Sequence, residues 1–414
     1  MKKFNYALML FTAVFFLIGE ISFGQSIWNT RQFSSIGGNQ LRKVQFVNTT
    51  VGYTGGGNGK FVKTTDAGDS WNVLNIGLTG YISSLFFLNE NTGWVGSTQQ
   101  VIKKTTDGGV TWSSQPITTS SYIADISFVN SQTGYLAGNG GQIFKTTNGG
   151  INWSNIAPAS MPWGEVKFLN ENTGWILSDM DLYKTTNAGS TWNSILHNSG
   201  SVIGYFQDFH FINAQTGWVT IPSGIAKTTN GGDSWSFKTI QMASPMAVQF
   251  LNENVGWCAG YTNNTGYIIA TINGGANWVT QKVESNNVYW DISFANMNMG
   301  WACGNAIVSS TTTGGLVSII PVSTKTPDAF SLKQNFPNPF NPATKINFDI
   351  KNSTFTSLKV FDMNGREVKT LVNENLTAGS YEINFNASEL NSGVYFYTLK
   401  TNEYTETKKM MLVK

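Results

Sequence analysis

The chain of 414 residues is long enough for one large all-β domain and a smaller one. Charged residues make up only 12% of it, while 43 glycines and 14 tryptophans favour short strands and tight turns. This composition excludes helical bundles, coiled coils and charged disordered chains. Residues 25–320 carry 13 basic and 14 acidic side chains, and residues 321–414 carry 11 and 9. Neither part has the basic field that nucleic-acid binding requires.

The N-terminal residues are typical of an export signal. Lys2 and Lys3 precede an apolar run over 7–19, and small residues come just before Gln25. The run is too short for a membrane span, so we predict a signal peptide over 1–24 and no membrane span after its cleavage.

Two motifs repeat along the next 300 residues. The first appears as KTTDAGDSW (63–71), KTTDGGVTW (104–112), KTTNGGINW (145–153), KTTNAGSTW (184–192) and KTTNGGDSW (227–235), with weaker copies ATINGGANW (270–278) and STTTGGLVS (310–318). The second is Phe-x-Asn followed by a short turn that ends in Gly-Trp or Gly-Tyr, as in LFFLNENTGW. Its turn glycines are Gly52, Gly93, Gly134, Gly174, Gly217, Gly256 and Gly300. There are seven units of about 40 residues.

Each unit has room for four short strands, which in the third unit we place at 124–130, 134–138, 142–147 and 151–156. Four strands in about 40 residues predict a propeller blade, and seven units predict a seven-bladed β-propeller over 25–320. The last copy has Ser318 where the others have Trp, whereas Trp28 has no motif before it. We therefore expect segment 26–32 to supply the outer strand of the last blade and close the ring.

The first motif resembles the Asp-box, or BNR repeat, of sialidases and some glycanases. Together with the Phe-x-Asn…Gly-Trp turn, the repeats over 26–318 look most like the photosystem II assembly factor type of propeller. This resemblance implies the fold, and it leaves the function open because that repeat class serves many roles.

The Asp-box has a structural explanation. Its Asp or Asn caps backbone amides, its Gly takes the left-handed conformation and its Trp joins the outer strands. We predict structural roles for six tryptophans, Trp71, Trp112, Trp153, Trp192, Trp235 and Trp278. The Lys before each box is expected at a solvated rim, on the face opposite the usual binding mouth of a propeller.

A second module follows the propeller. Residues 321–328 form a Ser/Thr/Pro-rich linker, and six alternating runs over 329–414 predict a small C-terminal Ig-like β-sandwich. FSLKQNFPNPFNPATKINF, NGREVKTL, LNSGVYFYTL and KKMMLVK resemble the type A sorting domain of type IX secretion substrates. The resemblance implies export through that machinery, which would recognise 329–414, and a secreted or outer-membrane surface-attached protein. An ordinary Ig-like domain that stays attached is the alternative.

Several kinds of active site are poorly supported. A sialidase-like site needs three arginines on a carboxylate, and the propeller has only Arg31 and Arg42. His197 and His210 are the only histidines, so we predict no metal and no cofactor. Cys258 and Cys303 are expected to be buried thiols, and a disulfide between them stays open.

One constellation of acids remains. Alignment of the seven units on the inner-strand Phe exposes a position three residues earlier, occupied by Lys43, Ser84, Asp125, Glu165, Asp208, Ala247 and Asp291. Strand alternation places this position at the mouth of the central channel. Asp179 and Asp181, in a turn of the fourth unit, are expected on the same face. Aromatic residues of the loops there are Tyr81, Tyr122, Trp163, Tyr205, Tyr289 and Trp290.

Carboxylates ringed by aromatic side chains suit a ligand. Aromatic faces stack on sugars, and the acids accept hydrogen bonds from hydroxyl groups, or hold a cation or a basic peptide. We predict non-catalytic recognition of an extracellular glycan, peptide or protein by a monomer. The alternatives are a scaffold for a surface complex and a glycoside hydrolase that uses Asp125, Glu165 or Asp208. The acids could also be hydrated channel lining, with the aromatics covering blade seams.

Overall fold

The computed structural model describes residues 28–32, 40–119, 122–138, 140–156, 164–197, 205–312, 319–323, 327–376, 378–387 and 390–414. The described part is all-β, as predicted, with nine four-stranded antiparallel sheets. The predicted signal peptide, Trp163 and Ser318 lie outside the described residues. None of the described residues forms a helix with the length and hydropathy needed to cross a membrane.

Seven of the sheets are propeller blades. The strands are β1 (Asn29–Gln32); β2 (Leu41–Phe46), β3 (Gly52–Gly56), β4 (Phe61–Thr64) and β5 (Asn72–Leu74) in blade 1; β6 (Ile82–Phe87), β7 (Gly93–Ser97), β8 (Ile102–Thr105) and β9 (Ser113–Gln115) in blade 2; β10 (Ile123–Phe128), β11 (Gly134–Gly138), β12 (Gln142–Thr146) and β13 (Ser154–Asn155) in blade 3; and β14 (Val166–Phe168), β15 (Gly174–Leu177), β16 (Asp181–Thr185) and β17 (Asn193–His197) in blade 4. They continue with β18 (Phe209–Phe211), β19 (Gly217–Ile221), β20 (Gly224–Thr228) and β21 (Ser236–Thr239) in blade 5; β22 (Ser244–Phe250), β23 (Gly256–Thr262), β24 (Thr265–Thr271) and β25 (Val279–Ser285) in blade 6; and β26 (Tyr289–Phe294), β27 (Gly300–Gly304) and β28 (Ile307–Thr311) in blade 7.

The N-terminal strand closes the ring. β1 pairs antiparallel with β28, with Asn29 opposite Ser310, and so becomes the outer strand of blade 7. Trp28 is 1% exposed and meets the ring of Phe294 edge-on, with the centroids 5.8 Å apart. The predicted closure is confirmed, and it covers the edge that β28 would otherwise expose.

Aromatic stacking between blades runs around the whole ring. The last Phe of each inner strand lies face to face with the Trp or Tyr that follows the turn glycine of the preceding blade. The pairs are Phe87–Tyr53, Phe128–Trp94, Phe168–Tyr135, Phe211–Trp175, Phe250–Trp218, Phe294–Trp257 and, across the closure, Phe46–Trp301. The turn glycine is required, since a Cβ on Gly52 would lie 2.4 Å from the Phe46 ring.

The Asp-boxes have the predicted geometry. In the first box, Asp66 Oδ1 accepts the Ser70 backbone N–H at 2.8 Å, and Thr64 Oγ1 accepts that of Gly68 at 2.9 Å. Gly68 has φ +91°, in the left-handed region. Trp71 meets Phe46 edge-on at 5.8 Å, and every box Trp repeats this contact in its own blade.

The lysines before the boxes are not merely a solvated rim, which corrects the prediction. Lys104 Nζ donates to Gly149 O of the next blade at 2.8 Å and lies 5.1 Å from the centroid of Trp94. Lys63 does the same with Gly108 O and the Tyr53 ring. The hydrogen bond of each lysine joins its blade to the next one, while the cation–π contact holds the ammonium group over a ring of its own blade.

Two four-stranded sheets form the C-terminal domain. Their strands are β29 (Ile319–Ser323), β30 (Ser331–Leu332), β31 (Ala343–Ile350), β32 (Thr354–Phe361), β33 (Glu367–Leu376), β34 (Gly379–Asn386), β35 (Gly393–Lys400) and β36 (Thr405–Leu412). The sheet orders are β29-β34-β31-β30 and β33-β32-β35-β36, compatible with the predicted Ig-like sandwich. Pro321 pairs with Tyr381 in β34, so residues 321–323 of the predicted linker belong to a sheet edge.

Candidate functional site

The central channel holds a pocket of about 390 Å³ between the inner strands. Its charged lining consists of Lys43, Asp125, Glu165, Lys167, Asp208 and Asp291. The four acids lie where the repeat alignment placed them. Lys167 was not predicted, because it occupies a different position of the repeat, one residue before the inner-strand Phe.

Three of the acids connect blades. Each Asp accepts a backbone N–H from the next inner strand: Val166 to Asp125 at 3.1 Å, Val248 to Asp208 at 2.7 Å, and Val44 to Asp291 at 2.8 Å. Asp125 is 8% and Asp208 is 6% exposed. These acids therefore have a structural role in addition to lining the pocket, since a buried N–H left without an acceptor is costly.

Glu165 lies at the centre of an ion network. Its Oε1 accepts from Lys43 Nζ at 2.7 Å, and its Oε2 lies 3.5 Å from Lys167 Nζ. Lys167 also binds Asp208 Oδ1 at 2.5 Å and the Phe209 carbonyl at 2.6 Å. Two ammonium groups thus lie among four carboxyl groups and form ion pairs with Glu165 and Asp208, which leaves the pocket with excess negative charge when all four acids are ionised.

This imbalance separates the pKa values of the acids. Burial raises the pKa of Asp125 to about 6 against the opposing charge of Lys43. Burial and the charge of Glu165 raise the pKa of Asp208 well above its usual range. Burial also acts on Glu165, but the charges of Lys167 and Lys43 outweigh it and lower the pKa of that carboxyl. Glu165 is therefore the acid that stays ionised most readily.

The residues one before the inner-strand Phe form a second set of blade contacts. Gln45 Oε1 accepts the Phe87 N–H at 2.7 Å, and Ser293 Oγ accepts the Phe46 N–H at 2.9 Å. His210 Nδ1 accepts more weakly from Phe250 N, at 3.4 Å, and burial with the charge of Lys167 lowers the pKa of His210 to about 3. His210 is therefore a neutral, hydrogen-bonded side chain that joins two blades.

The predicted aromatic rim is incomplete. Tyr205 is 57% and Tyr81 38% exposed, while Tyr122 and Trp290 are half-buried. Tyr289 is 0% exposed and its hydroxyl bonds to Ser309 at 2.7 Å, so its expected place among the loop aromatics is wrong. It is the first residue of β26 and packs between blades.

Asp179 and Asp181 lie in the predicted turn of blade 4, but they diverge. Asp181 pairs with His197 Nδ1 at 2.8 Å, so its carboxylate is engaged with the outer strand β17 of its own blade. Burial raises the pKa of Asp179, and its charge contributes to the raised pKa of Tyr122. Neither acid lines the pocket.

No group of three or more His, Cys, Asp or Glu side chains able to hold a metal ion occurs in the described part of the chain. Cys258 and Cys303 are buried free thiols in β23 and β27, and burial raises the pKa of both. The sequence left open buried thiols or a disulfide, and the structure has two free thiols.

The loop face contains a cluster that the repeat alignment missed. Arg42 lies over the ring of Trp290, with the guanidinium carbon 3.7 Å from the ring centroid, and Tyr261 meets the same ring edge-on at 5.8 Å. The sequence does not predict this cluster, because the three residues belong to blades 1, 7 and 6 and come together only through the packing of these blades.

Family comparisons agree with this architecture. Residues 69–205 match the model of the photosynthesis system II assembly factor YCF48, and residues 334–414 match that of the secretion system C-terminal sorting domain. Among proteins of curated function, none matches the chain significantly.

Solved structures show the same fold at low sequence identity. YCF48 bound to D1 peptide is 18% identical with a TM-score of 0.59, covering 70% of this chain and 98% of its own. YCF48 from Cyanidioschyzon merolae is 17% identical with a TM-score of 0.58, covering 68% and 98%. The GH74 enzyme of Niastella koreensis is 14% identical with a TM-score of 0.54, covering 91% and 67%.

The C-terminal match fixes the destination of the protein, which is type IX secretion to the cell surface or the medium. The chain thus combines a BNR-repeat propeller of the YCF48-like type with a type IX C-terminal sorting domain.

Proposed function

We propose that the propeller is a non-catalytic recognition module that binds a basic segment of an extracellular polypeptide at the channel mouth. The observation that carries the proposal is the charge imbalance of the pocket, where four carboxylates face two ammonium groups. A Lys or Arg side chain from a ligand would supply the missing positive charge.

The size of the pocket also favours one inserted side chain. A volume of about 390 Å³ accommodates a single long side chain better than a run of sugar rings. The half-buried and exposed aromatics Tyr81, Tyr205 and Trp290 then suit contact with the flanking residues of the ligand, because Tyr and Trp dominate the energetics of such interfaces. YCF48 bound to D1 peptide is a propeller of the same fold with a peptide ligand, which is a precedent for peptide binding.

The bonding of the acids argues against hydrolysis of a glycosidic bond. Asp125 and Asp208 are nearly buried and accept backbone N–H groups, while Glu165 is neutralised by Lys43 and Lys167. A glycosidase needs one carboxyl free to protonate the leaving oxygen and a second free to act on the opposite side of the sugar. Rearrangement of these acids would break the contacts that join the blades.

The test is selection of a displayed random-peptide library on the full chain, beside a glycan array. We expect enriched peptides with Lys or Arg. Their affinity should fall at least about tenfold in the triple variant Asp125→Asn, Asp208→Asn and Asp291→Asn, because Asn keeps an acceptor for the backbone N–H while it removes the charge.

The matched control removes three charges elsewhere. Asp69→Asn, Asp233→Asn and Glu253→Gln lie on exposed turns at the opposite face and should leave peptide binding unchanged. Peptides without basic residues, equal losses in both triple variants, or binding to glycans alone would contradict the proposal.

A further inference from the structure

The mouth ends of the inner strands carry β-bulges. In five blades the pairing of the first and second strands skips one residue, and the skipped residues are Arg42, Ser83, Ala124, Met246 and Trp290. A bulge bends the strand and redirects the side chain of the extra residue. Arg42 and Trp290 occupy this position in blades 1 and 7, which meet at the ring closure.

The guanidinium of Arg42 is held on an aromatic platform. It lies 3.7 Å from the Trp290 centroid and 6.0 Å from the Tyr81 centroid. Trp290 is fixed in turn by its Nε1, which donates to Asn305 Oδ1 at 3.2 Å, and by the edge-on contact with Tyr261. The cation is therefore already oriented before any ligand arrives, so little side-chain freedom is lost on binding.

One side of the same guanidinium is hydrogen-bonded, and the other side has no acceptor among the residues that the structure describes. Nε and Nη2 of Arg42 donate to Gln40 Oε1 at 3.1 and 2.8 Å, and the Tyr81 hydroxyl donates to that oxygen at 3.3 Å. A guanidinium has five N–H groups, so three remain without an acceptor among the described residues. They are one N–H on Nη2 and two on Nη1. One N–H of Nη1 and that of Nη2 form the end-on pair, which a carboxylate binds with two parallel hydrogen bonds.

We propose that Arg42, oriented by Trp290 and Gln40, is a carboxylate-binding site at the edge of the channel mouth. This inference rests on the proposed function and adds the second contact of the ligand. The acids of the pocket repel a carboxylate, whereas Arg42 attracts one. A bound peptide is thus oriented with its basic side chain in the pocket and its carboxylate, from the C-terminus or an acidic residue, on Arg42.

The chain offers a clean spectroscopic test, because it contains three arginines in all, Arg31, Arg42 and Arg366. In full-length protein labelled with ¹⁵N-arginine, each gives one Nε–Hε signal. Arg31→Lys and Arg366→Lys variants assign those two signals, and the third is then Arg42 in an unaltered site.

Three probes separate the sources of the carboxylate. Acetyl-Gly-Gly-Lys with a free C-terminus, its C-terminal amide, and the amide of acetyl-Glu-Gly-Gly are titrated to about 10 mM, where weak binding still shifts a signal. A shift of the Arg42 signal with the free acid and not with its amide supports a C-terminal carboxylate. A shift with the Glu peptide alone supports an acidic side chain. No shift with any probe, or equal shifts of all three arginines, overturns the site.

Variants then measure how much Arg42 contributes to peptide affinity. Arg42→Lys keeps the charge but loses the planar stack and the end-on fork, so we expect the Kd of a peptide selected on the wild-type chain to rise about tenfold or more. Arg31→Lys, on the closure strand, should leave the Kd unchanged. Thermal unfolding of both variants verifies that they fold.

The two proposals fail in different ways. If selected basic peptides bind the Arg42→Lys variant as tightly as the wild type, the carboxylate site is wrong while peptide recognition stands. If selection recovers no basic peptide, the proposed function fails, whatever the Arg42 signal does with the small probes.

Discussion

The two ends of the propeller strands differ in how much they repeat. At the Asp-box end, every blade places the same Phe between a stacked Trp or Tyr and an edge-on Trp, and in blades 1 to 6 the same capping bonds close the turn. At the channel mouth, the seven corresponding positions hold four acids, a lysine, a serine and an alanine. The aromatic packing that holds the ring together therefore repeats at the Asp-box end, whereas the residue types differ from blade to blade at the channel-mouth end.

The largest expected effect on the repeated packing is at the ring closure, where β1 joins blade 7 without a direct chain connection. Trp28→Ala removes a fully buried ring from the closure strand, so we expect a loss of about 3–5 kcal/mol in the unfolding free energy of the propeller. Urea unfolding measures it. Trp278→Ala, in a half-buried Trp of a continuous hairpin, is the control, and a loss there as large as that at Trp28 would contradict the special role of the joint.

A second change tests whether the mouth acids also hold blades. Asp291→Ala removes the acceptor of the Val44 and Ile292 N–H groups, and we expect a cost of about 1–3 kcal/mol. Asp291→Asn retains an acceptor oxygen, so its cost should be smaller. Equal unfolding midpoints for the two variants would show that the carboxylate contributes to the pocket alone.

The pH dependence of the unfolding free energy tests the buried state of a second mouth acid, Asp125. The pKa of Asp125 is raised to about 6, so the folded protein gains a proton here as the pH falls through 6, while the unfolded chain gains it only near 4. Between these values the wild type is stabilised on acidification, by up to about 1.4 kcal/mol per pH unit for this proton.

The variant Asp125→Asn lacks that proton, so its stability relative to the wild type should fall between pH 7 and pH 5. Denaturant titrations across this range measure the change. Asp233→Asn, at an exposed Asp-box turn, serves as the control. A constant difference between wild type and Asp125→Asn would contradict the raised pKa.

The smallest expected change in unfolding free energy comes from substitution of an exposed aromatic residue of the loops. Tyr205 is 57% exposed, so Tyr205→Ala should change the unfolding free energy by less than about 0.5 kcal/mol while it weakens peptide binding. Phe237→Ala, in the outer strand of the same blade and 64% exposed, should alter neither quantity. Binding titrations that give the same Kd for both variants would remove Tyr205 from the interface.

The sequence repeats predict the features that every blade shares, and they predict few of the contacts that occur only once. Blade number, the closure through Trp28 and the Asp-box turns follow from patterns that appear six or seven times. The position of Arg42 over Trp290 depends on two bulges and on the register between blades 7 and 1, which no local pattern encodes. Likewise, the turn in the sequence predicts the position of Asp181 along the chain but not its partner, because His197 lies on the next strand, β17.

The pairing of β1 with β28 also orders events in time. Thr30 bonds to Ser309, 279 residues further along the chain, so the N-terminal strand must wait for almost the whole propeller before its partner exists. Six blades can form hairpin by hairpin as the chain emerges, but the seventh lacks its outer strand until the end. We therefore expect completion of the ring to be the last step in the folding of the propeller, with the edge of β28 left open until β1 pairs with it.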